Sequence, residues 1–193
     1  MKEKIIVIGG GAGGLELTAR LARKLRRDKS VEVLLIDRNP THIWKPLFHE
    51  VATGSMNSYH DEASYLMLAK KHKFSFLLGE VVNIDSASKT VRVAPLIGDD
   101  GVELIAERVL HFDQLIVAVG SLVNDFGIEG VRAHARQLDT RKQAERFHTH
   151  FVSQLQKTNL KSTSEALNVV IVGGGATGVE LAIAAQHCAY PPR

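Results

Sequence analysis

Apolar residues along this chain gather in two kinds of run. The first kind is short and nearly continuous: Ile5-Ile6-Val7-Ile8, Val31-Glu32-Val33-Leu34-Leu35-Ile36, Leu115-Ile116-Val117-Ala118-Val119 and Val169-Val170-Ile171-Val172. Length and β-branched content predict strands buried on both faces, the habit of a parallel sheet. In the second kind, apolar positions recur at helical spacing. Residues 15–27 predict a helix with Leu17, Leu21, Ala22 and Leu25 inward, and Arg20, Arg23, Lys24 and Arg27 on one exposed face. That basic face reads as solvated cations near a helix C-terminus, in preference to a membrane-docking patch. Residues 61–73 predict a second helix with Leu66, Met67 and Ala69 inward, and 74–78 a strand. Thr140-x-x-Gln143 is a capping box opening a third helix, striped by Ala144, Phe147, Phe151, Val152 and Leu155.

Two stretches depart from these patterns. Over 81–110 the runs are short and β-rich, at 81–84, 90–93 and 102–110, with Gly98-Asp99-Asp100-Gly101 as a turn. They predict an antiparallel meander inserted into an α/β domain. Residues 42–54 have no period of their own; their mix of aromatic, basic and turn residues predicts a loop covering a ligand. A polar, irregular boundary is expected over 157–165, and Pro191-Pro192 would stop the last helix.

The turns carry the candidate chemistry. Gly9, Gly11 and Gly14 stand in G-x-G-x-x-G spacing between a strand and a helix. There the glycines permit a tight turn, close approach of a pyrophosphate and tight helix packing, and the helix N-terminus offers free N–H groups. Asp37 ends the next strand about 23 residues past Gly14, where a carboxylate accepts from a ribose. Arg38 beside it leaves a phosphorylated ribose open. Gly120 ends a further strand, where a cofactor can come near the backbone. Gly173, Gly175 and Gly178 then repeat the first spacing, and Glu180 follows the last glycine by two as Glu16 follows Gly14. Two such units a domain's length apart point to two dinucleotide sites.

Composition narrows the classes. Among 193 residues the net charge is +3 and 45% are hydrophobic, enough for a packed domain. The single cysteine, Cys188, excludes a disulfide framework and a cysteine metal cluster, and no metal site is expected. The basic residues are not interleaved with an aromatic platform, so a nucleic-acid partner is not expected. No apolar run approaches the roughly 20 residues of a membrane span.

The two glycine loops and the Ala118-Val119-Gly120 strand end resemble the two-dinucleotide-binding-domain flavoproteins. Within them, HIWKPLFHEVATGSM (42–56) and the stretch 173–181 resemble bacterial type II NADH dehydrogenase, an NADH:quinone oxidoreductase. The fold this resemblance implies is α/β: a Rossmann-like FAD-binding domain over 1–121 with the meander at 81–110, a connecting helical segment at 122–165, and the first strand and helix of an NADH-binding Rossmann unit over 166–193. It implies that Gly9, Gly11, Ala12, Gly13 and Gly14 hold the FAD pyrophosphate and Asp37 the ribose, with Arg38 adjacent. Lys45 and Pro46 lie beside the flavin end, Val82 near the adenine, and Ala118 and Gly120 along the cofactor. Gly173, Gly175, Ala176, Thr177 and Gly178 take NADH, and Glu180 stands near the nicotinamide–flavin contact.

The resemblance also implies electron transfer from NADH through FAD to quinone without proton pumping. It brings peripheral association with the cytoplasmic face of the inner membrane, and homodimer formation is compatible with it. Disulfide reductases and sulfide:quinone oxidoreductases, which use cysteines near the flavin, fit less well. The family continues for at least as many residues again, so a truncated product, inactive or weakly FAD-binding, is expected. The alternatives are a ferredoxin-reductase-like NAD(P)H flavoprotein, a non-catalytic FAD-binding module and a gene remnant.

Overall fold

The computed structural model describes residues 2–57, 62–160 and 167–189. In chain order its elements are β1 (Glu3–Ile8), α1 (Ala12–Leu25), β2 (Val31–Asp37), β3 (Thr41–His42), a 3-10 turn (Lys45–Leu47), α2 (Phe48–Thr53), β4 (Ala63–Ser64), α3 (Tyr65–His72), β5 (Ser75–Leu78), β6 (Val81–Asp85), β7 (Thr90–Val93), β8 (Leu96–Ile97), β9 (Glu103–Ile105), β10 (Arg108–His111), β11 (Gln114–Val117), α4 (Val131–His134), α5 (Arg141–Leu160) and α6 (Ala176–Ala189). They form two compact units. One comprises Met1–His42 and Glu62–Ser121, the other Ile43–Asp61 and Leu122–Arg193.

The first unit is built on a parallel sheet in the order β11-β1-β2-β5. Side chains alternate across it. Val7, Val33 and Leu35 face one way, onto Ala22 of α1 and Tyr65 and Ala69 of α3. Ile6, Ile8, Leu34 and Ile36 face the other way, onto Val91 and Val93 of β7. This explains why the two central strands read as continuous apolar runs: each face has its own cover. Complete burial of side chains such as Ile6, Leu35 and Ile36 contributes roughly 1.5–3 kcal/mol apiece relative to exposure.

The second cover is the insert. Strands β6, β7 and β10 form an antiparallel three-stranded sheet, while β8 and β9 pair as a separate hairpin. The single run expected over 102–110 is therefore two strands serving two sheets.

Helix α1 buries Gly14, Thr18 and Ala22, with Leu21 and Leu25 alongside the core. Small residues line its inward face because it lies close to the strand ends, and Thr18 returns its hydroxyl to the Gly14 carbonyl at 2.7 Å. Leu17, expected inward, is exposed. In α3 the expected stripe is also displaced. Leu66 and Met67 are 66% and 73% exposed, and the buried line is Tyr65 and Ala69. The helix starts at Tyr65, with the Ser64 hydroxyl accepting from Met67 N at 3.5 Å; Asp61, where it was expected to begin, lies outside the described residues.

Tyr65 stacks on Phe76 at 5.0 Å between centroids and donates its hydroxyl to the Gly10 carbonyl at 2.7 Å. Burial, followed by the Asp37 charge, pushes its phenol above the ordinary 10. His42, beside it at 6.2 Å between centroids, is half-buried. Burial holds its imidazole below 6.5, against the opposing pull of Asp37 and the Gly10 backbone.

The second unit is helical. Residues 42–54 are not the expected loop: Phe48, Val51 and Ala52 fall at i, i+3 and i+4 on α2 and pack with Ala144 of α5 and Leu181 of α6. Gly54, at φ +83°, ends that helix with a left-handed residue. The capping box of α5 forms in both directions. Thr140 Oγ1 accepts from Gln143 N at 3.2 Å, and Gln143 Oε1 accepts from Thr140 N at 3.0 Å. The boundary expected over 157–165 falls partly on α5, which runs to Leu160, and partly outside the described residues; Pro191 and Pro192 lie outside them too. Residues 169–172, expected as a strand, are not one. Val170 and Val172 stand exposed, and no described strand runs beside them to complete a ladder.

The register of α3 gives a direct test: Leu66→Ala and Met67→Ala shift urea unfolding, followed by far-UV circular dichroism, by no more than about 0.5 kcal/mol, whereas Tyr65→Ala costs roughly 3–5 kcal/mol. His42 gives a second. As pH falls below 6.5 the unfolded chain takes up a proton that folded His42 resists, so stability declines toward the folded value of the imidazole and is regained above 6.5. His42→Gln is expected to flatten the dependence of the urea midpoint between about pH 5 and pH 7.

Candidate functional site

The four parallel strands finish on one edge. Ile8 is in register with Ile36 and Val117, and Asp37 with Leu78. Because β1 connects forward to β2 on one side while β11 lies on the other, this edge contains the point where strand order reverses, the usual position of a ligand crevice in open α/β sheets. Gly9 turns the chain there with φ +96°, and a Cβ on it would sit 2.5 Å from the Ala118 carbonyl oxygen. A Cβ on Gly14 would overlap the carbonyl oxygen of Gly9, so α1 can start this close only with glycine. Gly11 and Gly13, in contrast, face open space.

Helix α1 has Gly11 at its N-cap with no side-chain cap, and its first turn, from Ala12 through Gly14, carries no acid. Its first N–H groups are thus open to an anionic ligand. Asp37 borders the same loop: Oδ2 accepts from Gly10 N at 2.6 Å and Oδ1 from Asn39 N at 2.8 Å. Oδ1 also accepts from Asn39 Nδ2 at 3.2 Å, so Oδ2 is the oxygen that retains a lone pair. Around the rim, Arg38 lies 4.0 Å from Glu80 as an exposed pair. Ala118 N donates to Ile8 O at 2.8 Å, and Gly120 has φ +75°. Val82 is exposed at the bulge in β6 between Val81 and Asn83. The open backbone, the uncapped helix and the carboxylate fit a dinucleotide.

In the second unit Gly173 turns with φ +112°, and a Cβ on Gly178 would again overlap the carbonyl oxygen of the first glycine. Val179 N bonds Gly175 O at 3.1 Å, as Leu15 N bonds Gly11 O at 2.9 Å. Both helices begin three residues after the first glycine and are 14 residues long. Gly174 and Gly175 face open space, and Ala176 and Thr177 form the first turn of α6, which has no acid.

The same unit brings together the two stretches that carry the resemblance. Lys45 Nζ lies 2.7 Å from Oδ1 of the buried Asp139 carboxylate, whose Oδ2 accepts from Val123 N. Pro46 directs its carbonyl to His49 Nδ1 at 2.8 Å. The half-exposed Glu180 has Oε2 3.3 Å from that same nitrogen.

Two site neighbours escaped the sequence reading. Tyr65 was hidden by the more apolar Leu66 and Met67 beside it. Its one signal was Gly10, a glycine the spacing does not require; a Cβ there would run into the Tyr65 ring. His49 gave no signal of its own, because its partner is distant in sequence.

Comparison with known proteins adds the lineage. Residues 3–190 match the family model described as pyridine nucleotide-disulphide oxidoreductase. A type II NADH:quinone oxidoreductase of Haemophilus influenzae is 40% identical, covering 97% of this chain and 46% of the relative. One from Staphylococcus epidermidis is 28% identical over 93% of this chain and 42% of its own length. The structure of Plasmodium falciparum NDH2 in complex with NADH aligns with a TM-score of 0.78 at 26% identity, covering 97% of this chain and 37% of that one. The chain thus spans less than half the length of the curated relatives it matches. Among the described residues no helix is long and apolar enough to cross a membrane. With the family model running from residue 3 to residue 190, through both glycine loops, the chain belongs to the pyridine nucleotide-disulphide oxidoreductase family.

Proposed function

We propose that this chain is the cofactor- and donor-binding portion of a type II NADH:quinone oxidoreductase, with FAD as cofactor and NADH as electron donor. The observation that carries the reading is the recurrence of one turn geometry at Gly9–Gly14 and Gly173–Gly178, each opening a helix with no acid in its first turn, in a chain whose relatives bear that name. Residues 1–121 form the FAD domain, 122–165 connect, and 166–193 begin the NADH domain. The absence of a cysteine pair favours this over disulfide reduction.

Each group then has a task. The N–H groups behind Gly11, Ala12 and Gly13 bind the FAD pyrophosphate, with Gly9 and Gly14 setting how near the helix comes. Asp37, already aimed by Gly10 N, accepts from the adenosine ribose, Arg38 lies adjacent, and Val82 covers the adenine. Ala118 and Gly120 leave the backbone open along the cofactor. Lys45 and Pro46 lie at the flavin end, the lysine steadied by Asp139. Gly173, Gly175, Ala176, Thr177 and Gly178 receive the NADH pyrophosphate, and Glu180 stands beside the nicotinamide. When bound, the flavin supplies hydride acceptance and onward electron transfer. The protein's share is placement, so no nucleophile or acid–base triad is needed. Electrons pass to a membrane quinone without proton pumping, at the cytoplasmic face of the inner membrane.

Two glycine substitutions separate the sites. Gly14→Val is expected to abolish the flavin absorption of the purified chain. Gly178→Val is expected to retain that absorption while lowering bleaching by NADH under anaerobic conditions at least about tenfold. A colourless wild-type chain, or a Gly178→Val chain that bleaches normally, would refute the two-site reading.

A further inference from the structure

His49 sits on α2 with its side chain 13% exposed. Its Nδ1 lies 2.8 Å from the Pro46 carbonyl oxygen and 3.3 Å from Glu180 Oε2. A carbonyl can only accept, so Nδ1 bears a hydrogen whether the ring is neutral or charged. That N–H is engaged by the Pro46 carbonyl, with Glu180 Oε2 at ion-pair distance from the same nitrogen, and Nε2 is left 3.9 Å from Glu50 Oε1. The surroundings hold both partners in place. Phe48, Val51 and Ala52 are buried in one cluster with Leu181, the residue after Glu180. The Cys188 thiol donates to the Thr53 carbonyl at 3.3 Å, tying the far ends of α2 and α6.

We infer that His49 is the positioning residue for Glu180: its imidazole, anchored at Nδ1 by the Pro46 carbonyl, presents that polar edge 3.3 Å from Glu180 Oε2 and holds the carboxylate in one rotamer before the nicotinamide arrives. The inference rests on the reading of Glu180 as the carboxylate beside the nicotinamide, and it explains what the HIWKPLFHE stretch does there. Glu180 is 46% exposed at its side chain, and the His49 imidazole is the side-chain contact found for its carboxylate among the described residues. A glutamate so placed samples several rotamers unless one is held. A group displaced by about 1 Å can lose a hundredfold in rate. No proton leaves His49 in this role; it orients.

The test has two readouts on the whole chain. In nitrogen-15 NMR without nucleotide, neutral His49 is expected as the Nδ1-protonated tautomer, and His49→Leu is expected to shift the Glu180 carboxyl resonance. An Nε2-protonated ring, or a Glu180 resonance unmoved by His49→Leu, overturns the inference whether or not the chain reduces flavin. In anaerobic stopped flow, His49→Leu is expected to lower the limiting rate of flavin reduction by NADH about tenfold or more, with the NADH dissociation constant changed less than about threefold. His49→Asn, whose amide N–H takes the place of Nδ1–H, is expected to restore the rate to within about threefold, whereas His49→Gln, which reaches toward the Nε2 position, does not. Equal rates for the Leu and Asn variants, with Glu180→Gln still impaired, overturn the inference alone. A fully active Glu180→Gln chain instead refutes the reading of Glu180, and the two NMR outcomes then decide the contact by themselves.

Discussion

The first unit depends on how β1 leaves its sheet. This strand ends between two neighbours, and the chain must reverse into α1 without colliding with the Ala118 carbonyl on one side or its own Gly9 carbonyl on the other. Only residues without a Cβ satisfy both contacts, at Gly9 and at Gly14. From below, Tyr65 donates to Gly10 O, and from the flank Asp37 accepts from Gly10 N. Two elements, α3 and β2, thereby hold Gly10 through both of its backbone polar groups, while the residues just beyond it, Gly11 to Gly13, stay exposed. A loop held this fully has no ordering left to undergo before it meets a ligand, which is the physical meaning of preorganisation.

The layers behind the edge serve the same end. Helices α1 and α3 cover one face of the sheet and β7 the other. Arg108 joins them at the rim, donating through Nη2 to the carbonyls of Leu78 and Ala94 at 3.3 and 3.5 Å, next to the segment that presents Val82. The meander is thus a structural cover, with its bulge set just past the C-terminal end of β5.

The second unit is organised differently. It has no sheet among the described residues; its core is α2 clasped by α5 and α6. That packing gives a purpose to a stretch whose composition alone looked like an unstructured lid. Lys45 meets Asp139, and His49 meets Glu180, because α2 is short and fully engaged.

Local sequence determined what local sterics enforce. The two glycine turns take the same shape, although one is set in a finished sheet and the other follows residues that form no strand; a positive φ at the first glycine and close contact at the last require only the residues of the turn itself. The capping box of α5 and the four parallel strands were legible for the same reason, through side-chain hydrogen bonding and short, mostly apolar runs. Tertiary structure decided the rest. Which face of α3 turns inward was settled by the Gly10 carbonyl that Tyr65 reaches, against the greater hydrophobicity of Leu66 and Met67. Residues 102–110 divided between two sheets because each half found a different partner strand. Residues 169–172 stayed out of a ladder because a strand is a relation between segments, and hydrophobic pattern supplies only one of the two. Burial of α2 and the meeting of His49 with Glu180 depend on contacts between segments far apart in the chain, which no local period encodes.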